Sequence, residues 1–157
     1  MTNPKKNNLE LKLQLYKLCQ DFVENRRKTI QNTINEIQES LTSETKSSAG
    51  DKHETGRAML QLEREKAGQQ LAEIEKLNES LSKINTTFSS KTVGLASVVF
   101  TTQANYFIAI SAGQIEVNKT KFFAISSNTP IGLLLMGKTV GDAVVFREQT
   151  IKILNVA

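Results

Sequence analysis

The chain has 157 residues, which is enough for one domain of ordinary size or for two small ones. A hydrophobic content of 39% excludes a wholly disordered protein, and the single cysteine, Cys19, excludes an intramolecular disulfide and a cysteine metal cluster. The net charge is only +4, so the pI of 9.2 is a weak indication of nucleic acid or an acidic protein surface as a partner.

The sequence carries no signal for export or for membrane insertion. Residues 1–8 are polar and lack the apolar segment of a signal peptide. No run approaches the roughly 18 consecutive apolar residues that a membrane span needs. A lone thiol without disulfides is typical of a reducing compartment. We therefore expect a cytoplasmic protein with no membrane partner.

Composition changes near residue 87. Residues 1–87 contain 14 Lys and Arg against 13 Asp and Glu, whereas residues 88–157 contain 6 against 3. Seven of the nine aromatic residues lie in the second part, where a compact β-rich core would use them. This predicts two domains, a helical one over 1–87 and a small β-rich one over 88–157.

The first part has the pattern of two long helices. No Gly or Pro occurs from Leu9 to Ala49. The polar segment Thr45–Asp51, which contains a glycine, lies between the two apolar stripes and is where a helix would end and turn. Each apolar stripe alone is too narrow to be stable in water, but an antiparallel pair buries both. The stripes are Leu11, Leu15, Leu18, Phe22, Ile30, Ile34, Ile37 and Leu41, then Ala67, Leu71, Ile74, Leu77, Leu81 and Ile84.

A parallel coiled-coil dimer running straight through this region is the alternative. The interruption at residues 47–50 and the glycine at position 56 favour the hairpin, and with it a monomer. An arm of about 35 residues would be roughly 50 Å long at 1.5 Å per residue.

The second part is predicted to be a small antiparallel sheet with one short helix, so that the whole chain is α+β. Residues 85–92 form a polar linker before it. The helix begins with Thr129 as N-cap and Pro130 at its first position, and it ends at Gly137. The predicted strands are Ala96–Thr101, Asn105–Ile110, Lys121–Ile125, Ala143–Phe146 and Thr150–Val156.

One segment resembles a known family. Residues 127–142 contain Thr-Pro-Ile-Gly at 129–132, Gly-Lys at 137–138 and Val-Gly-Asp at 140–142. These motifs and their spacing resemble the C-terminal signature of the bacterial Gre transcript-cleavage factors. The resemblance implies a helical hairpin followed by a domain like the FK506-binding proteins, and core RNA polymerase as the partner. It also implies partner-binding residues within the signature, namely Thr129, Pro130, Ile131, Gly132, Lys138 and Asp142.

The predicted hairpin tip extends the resemblance. The family carries Gly-Asp-x-x-Glu-Asn-x-Glu-Tyr there, and this chain matches it at Gly50, Asp51 and Glu54. The resemblance implies that Asp51 and Glu54 enter the secondary channel of the polymerase and help to hold Mg²⁺ at its active site. The polymerase then cleaves the 3′ end of a backtracked transcript, so the chain itself is not an enzyme and meets the nascent RNA only indirectly.

The residues at the tip support this chemistry and also a simpler one. Carboxylates are the ligands that Mg²⁺ prefers, and residues three apart share one face of a helix. Asp-x-x-Glu at a helix start is equally the pattern of a cap. Glu44 on the first helix is a possible third carboxylate.

Several tip residues depart from the family. Thr55, Arg57 and Ala58 replace its Asn, second Glu and Tyr, and Lys52 and His53 add positive charge that would weaken metal binding if it pointed inward. A Gre-like regulator that occupies the channel without cleavage is therefore a second reading.

A third reading is a peptide-binding or prolyl-isomerase module. Its groove would use Phe100, Tyr106, Phe107 and Phe123, although at alternating strand positions these residues are more typical of a core. His53 is the only histidine, which excludes histidine-rich metal sites and any Ser-His-Asp machinery that does not use it.

Overall fold

A computed structural model describes the backbone of residues 4–46 and 50–157 and the side chains of residues 6–43 and 54–157. It confirms the predicted α+β fold: a long helical hairpin, then a sheet with one short helix. The elements are α1 (Pro4–Lys46), α2 (Gly50–Ser82), β1 (Val98–Thr101), β2 (Asn105–Ile108), β3 (Gly113–Val117), β4 (Thr120–Ile125), α3 (Pro130–Leu135), β5 (Ala143–Phe146) and β6 (Gln149–Val156).

The chain forms two compact units. Residues 23–78 make one unit, and residues 1–22 together with 79–157 make the other. The boundary at residue 87, inferred from composition, stays a prediction. No helix in the described part of the chain is long and apolar enough to cross a membrane.

The unit of residues 23–78 contains the second half of α1 and most of α2. Its buried side chains are apolar and come from both of them; four belong to the predicted stripes, whereas Val23 is buried in place of the predicted Phe22. Most of the charged side chains described in this unit are exposed, as expected for two helices that solvate their outer faces. The buried residues are Val23, Ile34 and Ile37 of α1 and Ala67 and Ile74 of α2.

Two hydrogen bonds within the unit of residues 1–22 and 79–157 show the relative direction of α1 and α2. The Tyr16 hydroxyl donates to the carbonyl oxygen of Leu81 at 3.0 Å. The Lys12 ammonium donates to the carbonyl oxygen of Phe88 at 2.8 Å. Because the beginning of α1 meets the end of α2 and the residues after it, the helices are antiparallel, as predicted.

The sheet has six strands in the order β3-β4-β2-β1-β6-β5. All neighbours are antiparallel except β2 and β4, which are parallel because β3 intervenes in sequence and pairs only with β4. The sequence prediction contained neither β3 nor a parallel pair. As an edge strand, β3 is mostly exposed and has no apolar alternation strong enough to reveal it.

One face of this sheet packs against α3, and the other face lies beside the beginning of α1. On one face, α3 contributes Ile131 and Leu135 to a core with Val99, Ile108 and Ile151. On the other face Phe107 and Phe122 are buried, and Leu11 of α1 lines a cavity together with Phe122. The beginning of α1 therefore belongs to the same packed unit as the sheet.

Cys19 lies within this unit and is fully buried. Burial raises the pKa of its thiol from 9.0 to about 12. Because the folded-state pKa is the higher one, the stability that this thiol contributes is fully present below pH 9.0 and is lost as the pH rises toward about 12.

We expect Cys19 to resist thiol reagents in the native protein. The thiolate is the nucleophile, the raised pKa lowers its population, and burial keeps the reagent from reaching the sulfur. The measurement is the rate of reaction with Ellman's reagent at pH 8, in buffer and in guanidinium chloride. We expect native labelling to be slower by at least about a hundredfold, as for a group exposed only on unfolding. A Gln20→Cys variant in a Cys19→Ala background, at an exposed neighbouring position, should react at the denatured rate. Equal native rates for the two thiols would contradict the burial of Cys19.

Candidate functional site

The signature segment begins with a capped helix. The Thr129 hydroxyl accepts a hydrogen bond from the amide of Gly132 at 3.1 Å and donates to the carbonyl of Ser126 at 2.8 Å. Pro130, whose fixed φ suits a helix start, is the first residue of α3. The Thr-Pro pair therefore fixes where α3 begins, as the sequence predicts.

Gly132 is required at its position by a close approach of two backbone segments. It is buried, and a Cβ added to it would lie 2.4 Å from the carbonyl oxygen of Ser126. Ile131, beside it, points into the core under α3. These two predicted partner-binding residues thus build the fold of this segment and are not exposed.

The second half of the signature joins α3 to the linker and to β6. The Val93 amide donates to the carbonyl of Lys138 at 2.8 Å, and the Gly137 amide donates to the carbonyl of Val93 at 2.9 Å. The Asp142 carboxylate accepts from the amide of Thr139 at 2.8 Å, and the Asp142 carbonyl accepts from the amide of Ile153 at 2.8 Å. Lys138 and Asp142 are therefore held in place by backbone contacts.

Several side chains of this segment remain on the surface. Pro130, Lys138 and Asp142 are exposed, whereas Thr129 is half-buried. Leu133 and Val140 are also exposed, by 64% and 54%, and are two of several large apolar side chains on the surface. Sequence reasoning missed this pair, because an apolar run over a short helix gives no sign of which residues face out. The exposed surface of this segment thus carries two large apolar side chains, one lysine and one aspartate.

The two predicted acids lie at the beginning of α2. The helix starts at Gly50, so positions 51 and 54 fall within its first two turns and on one side of it. The Glu54 side chain is exposed. The side chains of Asp51, Lys52, His53 and Glu44 lie outside the described residues, and so does the choice between capping and metal binding at Asp51.

The donor chemistry at this helix start suits Mg²⁺ in one respect. Glu54 offers hard oxygen ligands to solvent. The described side chains contain no group of three or more His, Cys, Asp or Glu that could hold a metal ion. One or two carboxylates fit a magnesium ion that another macromolecule also coordinates, since Mg²⁺ demands six ligands.

The four aromatic residues of the predicted isomerase groove do not share one surface. Phe107 is fully buried, and Phe100 packs edge-to-face on Phe122 at 6.0 Å between ring centroids. Tyr106 and Phe123 pair on the opposite face of the sheet, with centroids 6.2 Å apart. Two of the four are therefore packed residues, which favours their interpretation as core.

Comparisons with known proteins give a limited answer. No family model matches the chain, and no curated protein matches it. Among solved structures, the chain is similar to the GreA factor homolog 1 (Gfh1) protein of Thermus thermophilus, with 19% sequence identity and a TM-score of 0.33 over 90% of this chain and 94% of that one. A second structure of the transcription factor Gfh1 gives the same identity and TM-score over 90% and 92%.

Gly132→Ala should destabilise the protein strongly, because the new methyl group would collide with a backbone carbonyl that also accepts from Thr129. We expect a loss of about 2–4 kcal/mol in the free energy of unfolding, in the range for forced overpacking. Chemical denaturation followed by circular dichroism measures it. Gly94→Ala is the matched control, since nothing lies within 4 Å of its added Cβ and its φ is not positive. If the two variants are equally stable, the close approach at Gly132 is not a constraint.

Proposed function

We propose that this chain is a Gre-like factor that binds bacterial core RNA polymerase and stimulates cleavage of backtracked transcripts. The observation that carries the proposal is the combination of a Gre-like signature, which forms a capped helix and the turns around it, with an exposed glutamate at the beginning of α2. The polymerase performs the hydrolysis, and the factor adds groups to its active site.

The hairpin supplies reach. The second helix, α2, has 33 residues, which corresponds to about 50 Å at 1.5 Å per residue. An exposed carboxylate at its first turns can therefore enter a channel that a globular domain cannot. In the polymerase secondary channel, Asp51 and Glu54 would hold Mg²⁺ together with the ligands of the polymerase. Bound Mg²⁺ supplies stabilisation of the entering and leaving oxygens at the RNA 3′ end.

In this proposal, the unit that contains the sheet makes the main contact with the polymerase. Of the signature residues, Pro130, Lys138 and Asp142 are available at the surface, and Thr129, Ile131 and Gly132 hold the segment in shape. The exposed Leu133 and Val140 add apolar area beside them. Apolar area with a few polar anchors is typical of the centre of a protein interface.

We expect the double variant Asp51→Asn/Glu54→Gln to lose transcript cleavage while it keeps its affinity for polymerase, since both side chains keep their size and lose only charge. The measurement is Mg²⁺-dependent shortening of RNA in a backtracked elongation complex with polymerase from the same organism. A loss of about a hundredfold or more is expected, as for removal of electrostatic groups from an active site. Glu63→Gln/Glu65→Gln, farther along α2 and exposed, is the control for charge alone.

A factor that binds and never shortens the RNA would contradict the cleavage proposal. It would instead support the second candidate, a Gre-like regulator that occupies the channel. Arg57 favours this candidate, because a cation three residues after Glu54 lies on the same side of α2 and competes with a metal ion for the carboxylate.

Deletion of residues 44–58 should leave binding to core polymerase within about threefold of the full chain, because the docking residues lie elsewhere and peripheral contacts contribute little. Co-sedimentation or fluorescence anisotropy with core enzyme measures the affinity. Lys138→Glu in the full chain is the opposite variant, and we expect it to weaken binding. Loss of binding on deletion, with no effect of Lys138→Glu, would place docking on the hairpin.

A further inference from the structure

Lys12 is the one charged residue buried among the described side chains. It lies on α1 between Leu11 and Leu15 and is only 2% exposed. Its position next to the apolar stripe gave no sign of this in the sequence. A buried ammonium is costly unless it is paired and hydrogen-bonded, so its surroundings decide what it can do.

One hydrogen bond from the Lys12 ammonium is present among the described residues. This ammonium donates to the carbonyl oxygen of Phe88 at 2.8 Å, and an ammonium has three N–H donors. No carboxylate of the described residues forms an ion pair with it. Burial lowers the pKa of this lysine, which is the expected response of a cation without a counter-ion.

Lys12 borders a cavity of about 450 Å³ between α1 and the linker that follows α2. A second lysine, Lys91, lines the same cavity, and so do Ser89 and Ser90. Ser90 accepts a hydrogen bond from the amide of Thr92 at 3.1 Å, which leaves its hydroxyl proton available to a ligand. Among the described residues, no acidic side chain lines the cavity. The polar part of its lining therefore carries positive charge and hydrogen-bond donors.

The size of the cavity and its apolar wall narrow the class of ligand. Leu9 and Val156 form part of the lining, opposite in character to the lysines and serines. A volume of this size suits a small organic molecule and exceeds the needs of a bare oxyanion. Lysine and serine side chains such as those in this lining donate hydrogen bonds of the kind that a phosphate group accepts, since it presents several strong acceptor oxygens and up to two negative charges.

We propose that this cavity binds a small organic phosphate, with its phosphate group against Lys12 and Lys91 and its organic part over Leu9 and Val156. The phosphate supplies the counter-ion that Lys12 lacks and takes the hydrogen bonds that its ammonium still offers. This inference is independent of the polymerase proposal, because it uses neither the hairpin tip nor the signature segment.

The test uses the full chain with phenyl phosphate as the probe, in isothermal titration calorimetry at constant ionic strength. Phenol and inorganic phosphate separate the contributions of the ring and of the anion. The variants are Lys12→Met, which keeps the length of the side chain, and Lys91→Met. Lys17→Met is the matched control, since it removes one positive charge from the same helix at an exposed position outside the cavity.

We expect saturable binding of phenyl phosphate, weakened about tenfold or more by either cavity variant and within about twofold by Lys17→Met, since each cavity variant removes a charge-assisted hydrogen bond to the phosphate. Lys91 is exposed, so Lys91→Met keeps the test valid if Lys12→Met does not fold. Absence of saturable binding overturns the proposal, and so does an equal loss in Lys17→Met. If inorganic phosphate binds as tightly as phenyl phosphate, the proposal that the ligand has an organic part is overturned.

Discussion

The narrow apolar stripe of each long helix is the constraint on which this structure depends. A helix with one such stripe gains too little from burial to stay folded alone in water. The two stripes therefore bury each other in the unit of residues 23–78, through residues such as Ile34 and Ile74. At the other end of α1, Leu15 and Cys19 are buried within the unit that contains the sheet. Each fully buried leucine contributes about 1.5–3 kcal/mol, so these few contacts stabilise the ends of long helices.

The signature segment also depends on a few local contacts. Thr129 caps α3, Gly132 allows a close approach of two backbone segments, and the Asp142 carboxylate accepts a hydrogen bond within a turn. Only a few side chains between these residues reach the surface. These residues therefore fix first how the segment folds, and which side chains reach solvent follows from the resulting shape. The exposed Leu133 and Val140 illustrate this, because α3 and the turn after it present them to solvent.

The burial of Lys12, in contrast, could not be predicted from the sequence. In the sequence Lys12 is one of several lysines on a charged helix, and in the fold it lies beneath the linker with its ammonium on the Phe88 carbonyl. Residues 76 positions apart meet there, and no local pattern encodes such a contact. The cavity beside it is lined by residues from these same distant parts of the chain.

The sequence by itself determined the elements whose signals are local. Helical periodicity and the glycine at position 50 predicted two antiparallel helices, and Thr129, Pro130 and Gly137 predicted the limits of α3. Five of the six strands followed from β-branched and aromatic runs. Only the tertiary structure decided the edge strand β3, the parallel pairing of β2 with β4, the burial of Lys12 and the assignment of residues 1–22 to the unit that contains the sheet. The physical reason is that propensity and periodicity act over a few residues, whereas pairing and burial depend on residues that are distant in the chain.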